Sequence, residues 1–309
     1  NSLAAGIRAL EFVQSIPREQ NLVLLVSGGA SALIECLPES VTLIQLTDMT
    51  RKLLAQGFNI TQINAVRTRL SRIKGGKLLQ QFSGAQAFAF AISDVPKDDI
   101  AVIGSGIGSL QPADRIDFDL PGDILELLDR YRDNPVDDHK ETSGFYEAHI
   151  IASNRIARDA AAELAAGSGY PVRLNEESLH QDVDLTADMI AGQLLGGQTG
   201  VYIWGGEPTV VLPAKPGRGG RNQHLALSVA RRIQSIDNMV LIAAGTDGTD
   251  GPTDAAGGII DGTTWNRLPG AAQALTGADA GTFLEQSGAL LKSGPTGTNV
   301  MDLVIGVKW

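Results

Sequence analysis

Apolar positions recur along the chain in two alternating patterns, which predict a succession of strands and helices. Short apolar runs indicate buried strands, and segments with helical spacing of apolar residues indicate amphipathic helices. The predicted strands are NLVLLV, AFAFAISDV, HIIASN, YPVRLNE, TGVYIWGGE, TVVLP and MVLIAAGTDG. The predicted helices are NSLAAGIRALEFV, the end of SGGASALIE, TLIQLTDMTRKLLAQG, ITQINAVRTRLSRIKGG, DLPGDILELLDRY, RIARDAAAELAAG, LTADMIAGQLLGG and NQHLALSVARRI. This alternation predicts an α/β protein with largely parallel, helix-covered sheets.

The chain length and a turn-rich segment predict two α/β domains with a cleft between them. A chain of 309 residues suggests roughly two domains, and the polar, turn-rich segment RDNPVDDHKETSG marks the boundary. We therefore expect domains over residues 1–140 and 141–309. The first sheet is expected to be incomplete, because a helix opens the chain and the first strand begins only at Leu22.

Charge and cysteine usage narrow the class of protein. The formal net charge of −10 argues against nucleic acid or an anionic membrane as a partner. The apolar runs are shorter than the ~18 residues of a membrane helix. Because Cys36 is the only cysteine, no intrachain disulfide can form, and a cytoplasmic location is expected.

Basic residues are concentrated in two tracts that contain no aspartate or glutamate, Met49–Ser93 and Pro208–Ile236. In an acidic protein such tracts can concentrate positive potential on a small anion. The alternative is that they are solvated helix faces.

Ligands of open α/β sheets bind beyond the carboxyl ends of strands, so polar residues at those points are candidate site residues. The four candidate positions are the turn with Ser27, Gly28, Gly29 and Ser31, then Asp94, Glu207 and the segment that includes Asp247. The small-residue turn would let backbone amides approach a phosphate, or it would serve packing alone. Neither a P-loop nor a GxGxxG fingerprint is present, which argues against a nicotinamide dinucleotide.

Two basic elements are candidate anion clamps. On the helix ITQINAVRTRLSRIKGG, Arg67 and Lys74 lie at the margin of the predicted buried face, whereas Arg69 points elsewhere. Their guanidinium and ammonium groups suit a carboxylate or phosphate, or their stems simply lie along the core edge. Arg218, Gly219, Gly220 and Arg221 form a glycine-rich loop before a helix, which predicts a phosphate clamp.

A glycine-rich stretch with four aspartates, AAGTDGTDGPTDAAGGIID, follows the last predicted strand. The spacing is not that of an EF-hand, and no HExxH motif is present. Carboxylates at a strand end suit Mg²⁺ or a substrate hydroxyl, and a series of Asx turns is the alternative. We assign function to Asp247 and Asx turns to Asp254 and Asp261.

Six motifs in this order carry a resemblance that spans nearly the whole chain: SGGASAL, NAVRTRLSRIKGGKL, ISDV, GGEPTVV, GRGGRNQHLAL and GTDGTDGPTDAAGGIID. Together they resemble the glycerate 2-kinase family with a C-terminal MOFRL domain. The resemblance implies ATP-dependent phosphorylation of D-glycerate at the 2-hydroxyl, with ATP and Mg²⁺. It also implies a Rossmann-like glycerate kinase domain over residues 1–140, lacking its first segment with a catalytic lysine, and a MOFRL region at about residues 199–305.

Site roles follow from the motifs and the resemblance together. Catalytic roles are predicted for Arg67, Lys74, Glu207, Arg221 and Asp247. Nucleotide or phosphate binding is predicted for Ser27, Gly28, Gly29, Ser31, Arg218, Gly219 and Gly220, and metal binding for Asp94, although the carboxylates could exchange roles. The alternatives are a hydroxypyruvate reductase that uses NAD(P)H, a label often given to family members, and a non-catalytic member. A homodimer is one assembly we consider.

Overall fold

The computed structural model describes residues 2–111, 116–130 and 145–309. The chain divides into two compact units, residues 1–151 and 152–309. The predicted boundary segment, residues 132–144, lies outside the described residues, so the domain limits 1–140 and 141–309 stay a prediction.

Unit 1 combines helices with a sheet of three described strands. The helices are α1 (Ser2–Ser15), α2 (Ala30–Leu33), α3 (Leu43–Ala55), α4 (Ile60–Leu70), α5 (Lys77–Gln80) and α6 (Gly122–Asp129). The strands are β1 (Leu22–Ser27), β2 (Gln86–Ile92) and β3 (Phe145–Ala152), in the order β1-β2-β3 with β1 and β2 parallel. Short 3₁₀ segments follow β2 at Pro96–Asp98 and Ile103–Ser105.

Unit 2 contains a six-stranded sheet in the order β4-β5-β9-β6-β7-β8. Its strands are β4 (Val172–Leu179), β5 (Gly200–Gly206), β6 (Met239–Gly245), β7 (Gly257–Asp261), β8 (Leu290–Leu291) and β9 (Asp302–Lys308). Its helices are α7 (Asn154–Gly167), α8 (Val183–Gly196), α9 (Arg221–Arg232), α10 (Ala271–Thr276) and α11 (Ala280–Gln286), and a 3₁₀ segment spans Thr264–Asn266. One hydrophobic core joins α8 and α9 to the sheet.

The α/β class is confirmed, but the prediction of largely parallel sheets is wrong for unit 2. Only β4 and β5 pair in parallel there, whereas the β5–β9, β9–β6, β6–β7 and β7–β8 pairs are antiparallel. The reason is that the last strand of the chain inserts between β5 and β6, a long-range pairing that local apolar runs do not reveal.

Helix cover on β1 is one-sided among the described residues. Leu22 and Val26 are buried against the core of α1 and α5, whereas Val23 and Leu25 on the opposite face are 59% and 75% exposed. The prediction of a helix-covered sheet therefore holds for one face of this strand.

The predicted strand TVVLP is absent, and the chain runs as an irregular segment after an isolated bridge at Thr209. Val211 and Leu212 are 86% and 57% exposed, so their apolar side chains do not enter the core. No helix in the described ranges is long and apolar enough to cross a membrane.

Helix α4 ends at Leu70, six residues before Gly76, the last residue of the predicted helix. Ser71 is extended, and its hydroxyl accepts hydrogen bonds from the backbone N–H groups of Ile73 and Lys74. Lys77 Nζ donates to the carbonyls of Thr68 and Ser71, which satisfies the helix end. Lys74 consequently lies outside α4 and not at the margin of its buried face.

Candidate active site

A cavity of about 450 Å³ opens in unit 2 where β5 and β6 end. Asp302 begins β9 and is paired in register with Gly206, the last residue of β5, and Gly245, the last residue of β6. Because β9 is antiparallel to both neighbours, its first residue lies at the edge where theirs end. The cavity is lined by three of the predicted catalytic residues, Glu207, Arg221 and Asp247, and by Asp302.

Arg221, the first residue of α9, is held between two carboxylates. Its Nε donates to Asp302 Oδ2 at 2.6 Å and its Nη2 to Asp302 Oδ1 at 3.1 Å. Its Nη1 lies 2.6 Å from Glu207 Oε1. The two-point contact with Asp302 is the bidentate geometry that fixes a guanidinium in orientation. The side chain is 33% exposed and therefore reaches the cavity.

Asp302 is the buried partner of this pair, with a side chain only 1% exposed. Burial raises the pKa of this carboxyl from its ordinary 3.8 to about 6, although the Arg221 guanidinium opposes the shift. The Asp302 main chain is fixed from behind, because Asn154 Nδ2 donates to the carbonyls of Val300 and Asp302 at 2.9 Å each. Arg158 Nε in turn donates to Asn154 Oδ1 at 2.9 Å, so a buried polar relay positions the start of β9.

Asp247 lies beside Asp302 at the end of β6. A Cβ added to Gly245 would be 3.1 Å from Asp247 Oδ1 and 3.6 Å from Asp302 Oδ1, so the two carboxylates converge on this glycine. Asp247 Oδ1 accepts from the Thr249 backbone N–H at 2.9 Å, an Asx-type contact.

The other aspartates of the glycine-rich stretch are structural. Asp250 is buried and accepts the backbone N–H groups of Asn222 and Gln223, which caps the N-terminus of α9. Asp254 pairs with Lys292 at the surface. Asp261 accepts from the backbone and hydroxyl of Thr263, the Asx turn that the sequence predicts.

Arg218 is not among the residues that line the cavity, although Gly219 and Gly220 of the same loop are. Its guanidinium contacts Glu285 and donates to the Gly281 carbonyl at 3.3 Å, and its backbone N–H donates to Asp279. In this structure Arg218 therefore anchors the loop to α11 and to Asp279, the residue that precedes this helix.

In unit 1 the first two strand ends meet. A Cβ added to Gly28 would lie 1.5 Å from Asp94 Oδ2, so only glycine permits this approach. Gly29 caps the four-residue helix α2, and Ser31 Oγ lies 2.7 Å from Ser105 Oγ. Ser27, the last residue of β1, is exposed at the same edge.

Lys74 lies beneath this turn as half of a buried ion pair. Its Nζ is 2.8 Å from Glu35 Oε2 and donates to the Ser31 carbonyl at 2.8 Å. Ser71 Oγ donates to the other Glu35 oxygen at 2.6 Å. Burial lowers the pKa of Lys74 and Arg67 adds to this, whereas Glu35 opposes the shift. Lys74 thus fixes the position of the Ser27–Ser31 turn from inside.

Arg67 remains on α4, where it is partly buried, whereas Arg69 is exposed. Arg67 Nη1 donates a hydrogen bond of 3.3 Å to Asn64 Oδ1. The predicted difference in orientation between the two arginines is therefore present.

The described residues include no cluster of three or more His, Cys, Asp or Glu side chains arranged to hold a metal. Mg²⁺ is commonly bound through one or two carboxylates, with water and substrate phosphates as further ligands. Glu207, which is 50% exposed at the cavity, and Asp94 each fit that sparser mode.

Sequence reasoning missed Asp302, Glu35 and His224. Asp302 precedes the alternating run LVIGV, and this signal is visible only if antiparallel strands are considered. Glu35 is an acid within the apolar segment SALIECL, which indicates a buried partner. His224 lines the cavity one helical turn after Arg221.

Comparison with known proteins gives a consistent result. Residues 1–137 match the family described as a domain of unknown function (DUF4147), and residues 200–302 match the MOFRL family. D-glycerate 2-kinase from Thermotoga maritima is 37% identical, over 99% of this chain and 77% of that protein. Glycerate 2-kinase from Pyrococcus horikoshii is 35% identical, over 94% of this chain and 71% of that protein.

The fold agrees with these matches. The crystal structure of glycerate kinase from Thermotoga maritima superposes with a TM-score of 0.86 at 35% identity, over 100% of this chain and 78% of that one. The resemblance carried by the six motifs is confirmed: the chain belongs to the glycerate 2-kinase family with a MOFRL domain.

Proposed function

We propose that this protein transfers a phosphoryl group from ATP to the 2-hydroxyl of D-glycerate. The observation that carries the proposal is the Arg221 guanidinium held by Asp302 and Glu207, with Asp247 beside it, in the cavity of a glycerate 2-kinase family member. Phosphoryl transfer asks a protein mainly for positioning and for stabilisation of charge. A fixed guanidinium and a neighbouring carboxylate are suited to those two tasks.

Each cavity residue has a role in this proposal. Arg221 stabilises the negative charge that develops on the transferred group, because Asp302 fixes its orientation in advance. One Asp247 oxygen accepts from Thr249, and the carboxylate retains acceptor capacity for the proton of the attacking hydroxyl. Asp302 and Asn154 act through Arg221 as positioning residues.

Asp94 in unit 1 and Glu207 in unit 2 are each proposed as a carboxylate that would hold Mg²⁺. When bound, Mg²⁺ neutralises phosphate charge and orients the transferred group. In unit 1, Arg67 binds an anionic group of a substrate, and the Ser27–Ser31 turn offers its backbone to a phosphate. Lys74 fixes that turn through Ser31. A homodimer remains a prediction.

Enzyme assays test this function directly. Incubation with D-glycerate and ATP should produce ADP, and incubation with hydroxypyruvate and NADH should leave NADH unchanged. ADP production that requires glycerate supports the proposal. Loss of NADH would support the reductase instead, and no reaction in either assay would favour a non-catalytic member.

Two arginines on α4 allow a matched test of anion binding. Arg67→Ala should lower kcat/KM about ten- to hundredfold, because a charge-assisted contact is lost. Arg69→Ala removes the same charge from the exposed face and should change kcat/KM only slightly, in a salt-dependent way. Steady-state kinetics of both variants decide the matter, and equal small losses would remove Arg67 from the site.

The dependence of kcat/KM on pH should reflect the protonation of Asp302, the partner of Arg221. We expect kcat/KM to fall as pH drops through about 6, because protonated Asp302 no longer fixes Arg221 by charge. Kinetics between about pH 5 and 8 measure this limb, which Asp302→Asn should lack. An acid limb that persists unchanged in Asp302→Asn would assign it to another group.

The free energy of unfolding should also depend on the protonation of Asp302, but in the opposite direction to kcat/KM: protonation favours the folded state. Its folded-state pKa of about 6 lies above the ordinary 3.8, so its contribution is fully present below pH 3.8 and is lost as pH rises through about 6.

A further inference from the structure

His224 is a buried polar side chain at the cavity with no described partner. The residue is only 9% exposed, and it lines the cavity on the same face of α9 as Arg221. Its imidazole makes no hydrogen bond or ion pair within the described ranges of the chain. Burial lowers the pKa of His224, although Asp184 and Asp182 oppose the shift, so the neutral ring is favoured. A neutral imidazole that faces a cavity offers one donor and one acceptor to a ligand.

The charges around the cavity disfavour a bare anion there. Among the described residues that line it, Arg221 is the only cation, and both Asp302 and Glu207 already engage its guanidinium. Asp247 adds a further carboxylate. A substrate carboxylate placed in this space would meet an excess of negative charge, whereas neutral hydroxyl and amine groups could donate to these oxygens.

Part of the cavity lining is apolar. The apolar side chains are those of Val210, Leu212, Pro252, Ala278 and Ala280. Leu212 is 57% exposed, so its apolar surface is open for a ligand to cover. A flat organic ring would gain by burying this surface.

The size of the cavity also exceeds what glycerate needs. A volume of about 450 Å³ lies within the range of about 300–1,000 Å³ that is typical of small-molecule pockets. D-glycerate is a three-carbon acid and would fill a small part of it. A neutral group with a ring and hydroxyls fits the volume, the charge and the apolar part of the lining together.

We propose that this cavity binds the nucleoside portion of the phosphoryl donor and that His224 hydrogen-bonds to it. This inference rests on the proposed function, since it identifies the nucleotide site of the same reaction. The base would lie against the apolar lining at Leu212. The triphosphate would extend toward Glu207 and Arg221, with the Mg²⁺ proposed above neutralising part of its charge, so it is not a bare anion. His224 is then a specificity-determining residue for the donor and not for glycerate.

Kinetics with both substrates varied test the assignment. His224→Leu should raise the KM for ATP about three- to tenfold, the effect of one lost hydrogen bond, and leave the KM for D-glycerate unchanged. His224→Gln keeps a donor and an acceptor and should recover most of the affinity. His180→Leu is the control, because its side chain is 43% exposed and does not line the cavity.

A second pair of variants avoids any change in the buried helix. Leu212→Asp and Val211→Asp each add one carboxylate to adjacent exposed positions, but only Leu212 lines the cavity. Leu212→Asp should weaken ATP binding several-fold and Val211→Asp should not. Adenosine should compete with ATP and not with D-glycerate.

Calorimetric titration with ATP, ADP and adenosine separates this inference from the function on which it rests. If the wild-type protein does not phosphorylate glycerate but binds ATP in a His224-dependent way, the proposed function fails and the nucleoside site stands. If ATP affinity is unchanged in both His224→Leu and Leu212→Asp, or if these variants raise the KM for glycerate instead, the inference is overturned. Absence of ATP and ADP binding to the wild-type protein overturns it as well.

Discussion

Replacement of Arg221 by glutamine should lower kcat/KM for glycerate phosphorylation by about a hundred- to a thousandfold, the usual cost of removing one preorganised charge-stabilising group. Glutamine lacks the charge and cannot reproduce the two-point contact with Asp302. The change also leaves Asp302 buried without its counter-ion, so the free energy of unfolding should decrease. Steady-state kinetics and urea unfolding measure the two effects.

Two further variants distinguish lost chemistry from lost stability. Arg221→Gln combined with Asp302→Asn removes the unpaired charge, so stability should recover while kcat/KM stays low. Arg218→Gln changes an arginine of the preceding loop whose guanidinium pairs with Glu285 away from the cavity lining. It should retain near wild-type kcat/KM. Recovery of activity together with stability in the double variant would show that Arg221 has only a structural role.

Lys74→Met should destabilise the protein by about 3–5 kcal/mol, the range for breaking a buried ion pair from one side. The Lys74 and Glu35 side chains are 1% and 6% exposed, so Glu35 would remain buried without its cation. The Ser31 carbonyl would lose its donor as well, which loosens the Ser27–Ser31 turn. Urea unfolding gives the free energy, and the KM for ATP reports on the turn.

The double variant Glu35→Gln with Lys74→Met tests the cause. Without a stranded charge it should regain much of the lost stability, yet the turn would still lack its anchor and kcat/KM should stay reduced. Lys52→Met breaks an exposed pair with Asp123, whose side chain is 61% exposed, and should change stability little. A loss in Lys74→Met no larger than in Lys52→Met would contradict the structural reading of this pair.

The sequence was informative about elements whose signals are local. Helices α3 and α4 begin directly after Thr42 and Asn59, the N-cap residues, which form capping boxes with Gln45 and Gln62. Apolar runs located β1, β2, β5 and β6, because buried strands concentrate apolar residues over a few positions. Polar residues at the ends of these strands identified Glu207 and Asp247, and the loop before α9 identified Arg221, all of which line one cavity.

Other features of the site were decided by the tertiary structure alone, because they depend on contacts between distant parts of the chain. Asp302 reaches the cavity because β9 inserts between β5 and β6. The residues of β9 and β5 that pair are about a hundred positions apart in the sequence, so no local pattern indicates that they meet. Lys74 lies outside α4 because Ser71 ends the helix, and its ammonium group pairs with Glu35, thirty-nine residues earlier. Composition and periodicity thus determined which segments form strands and helices and which side chains stand at their ends. The burial and partners of those side chains, which set their charge and their role, were decided by tertiary packing, because desolvation and ion pairing depend on neighbours that are remote in sequence.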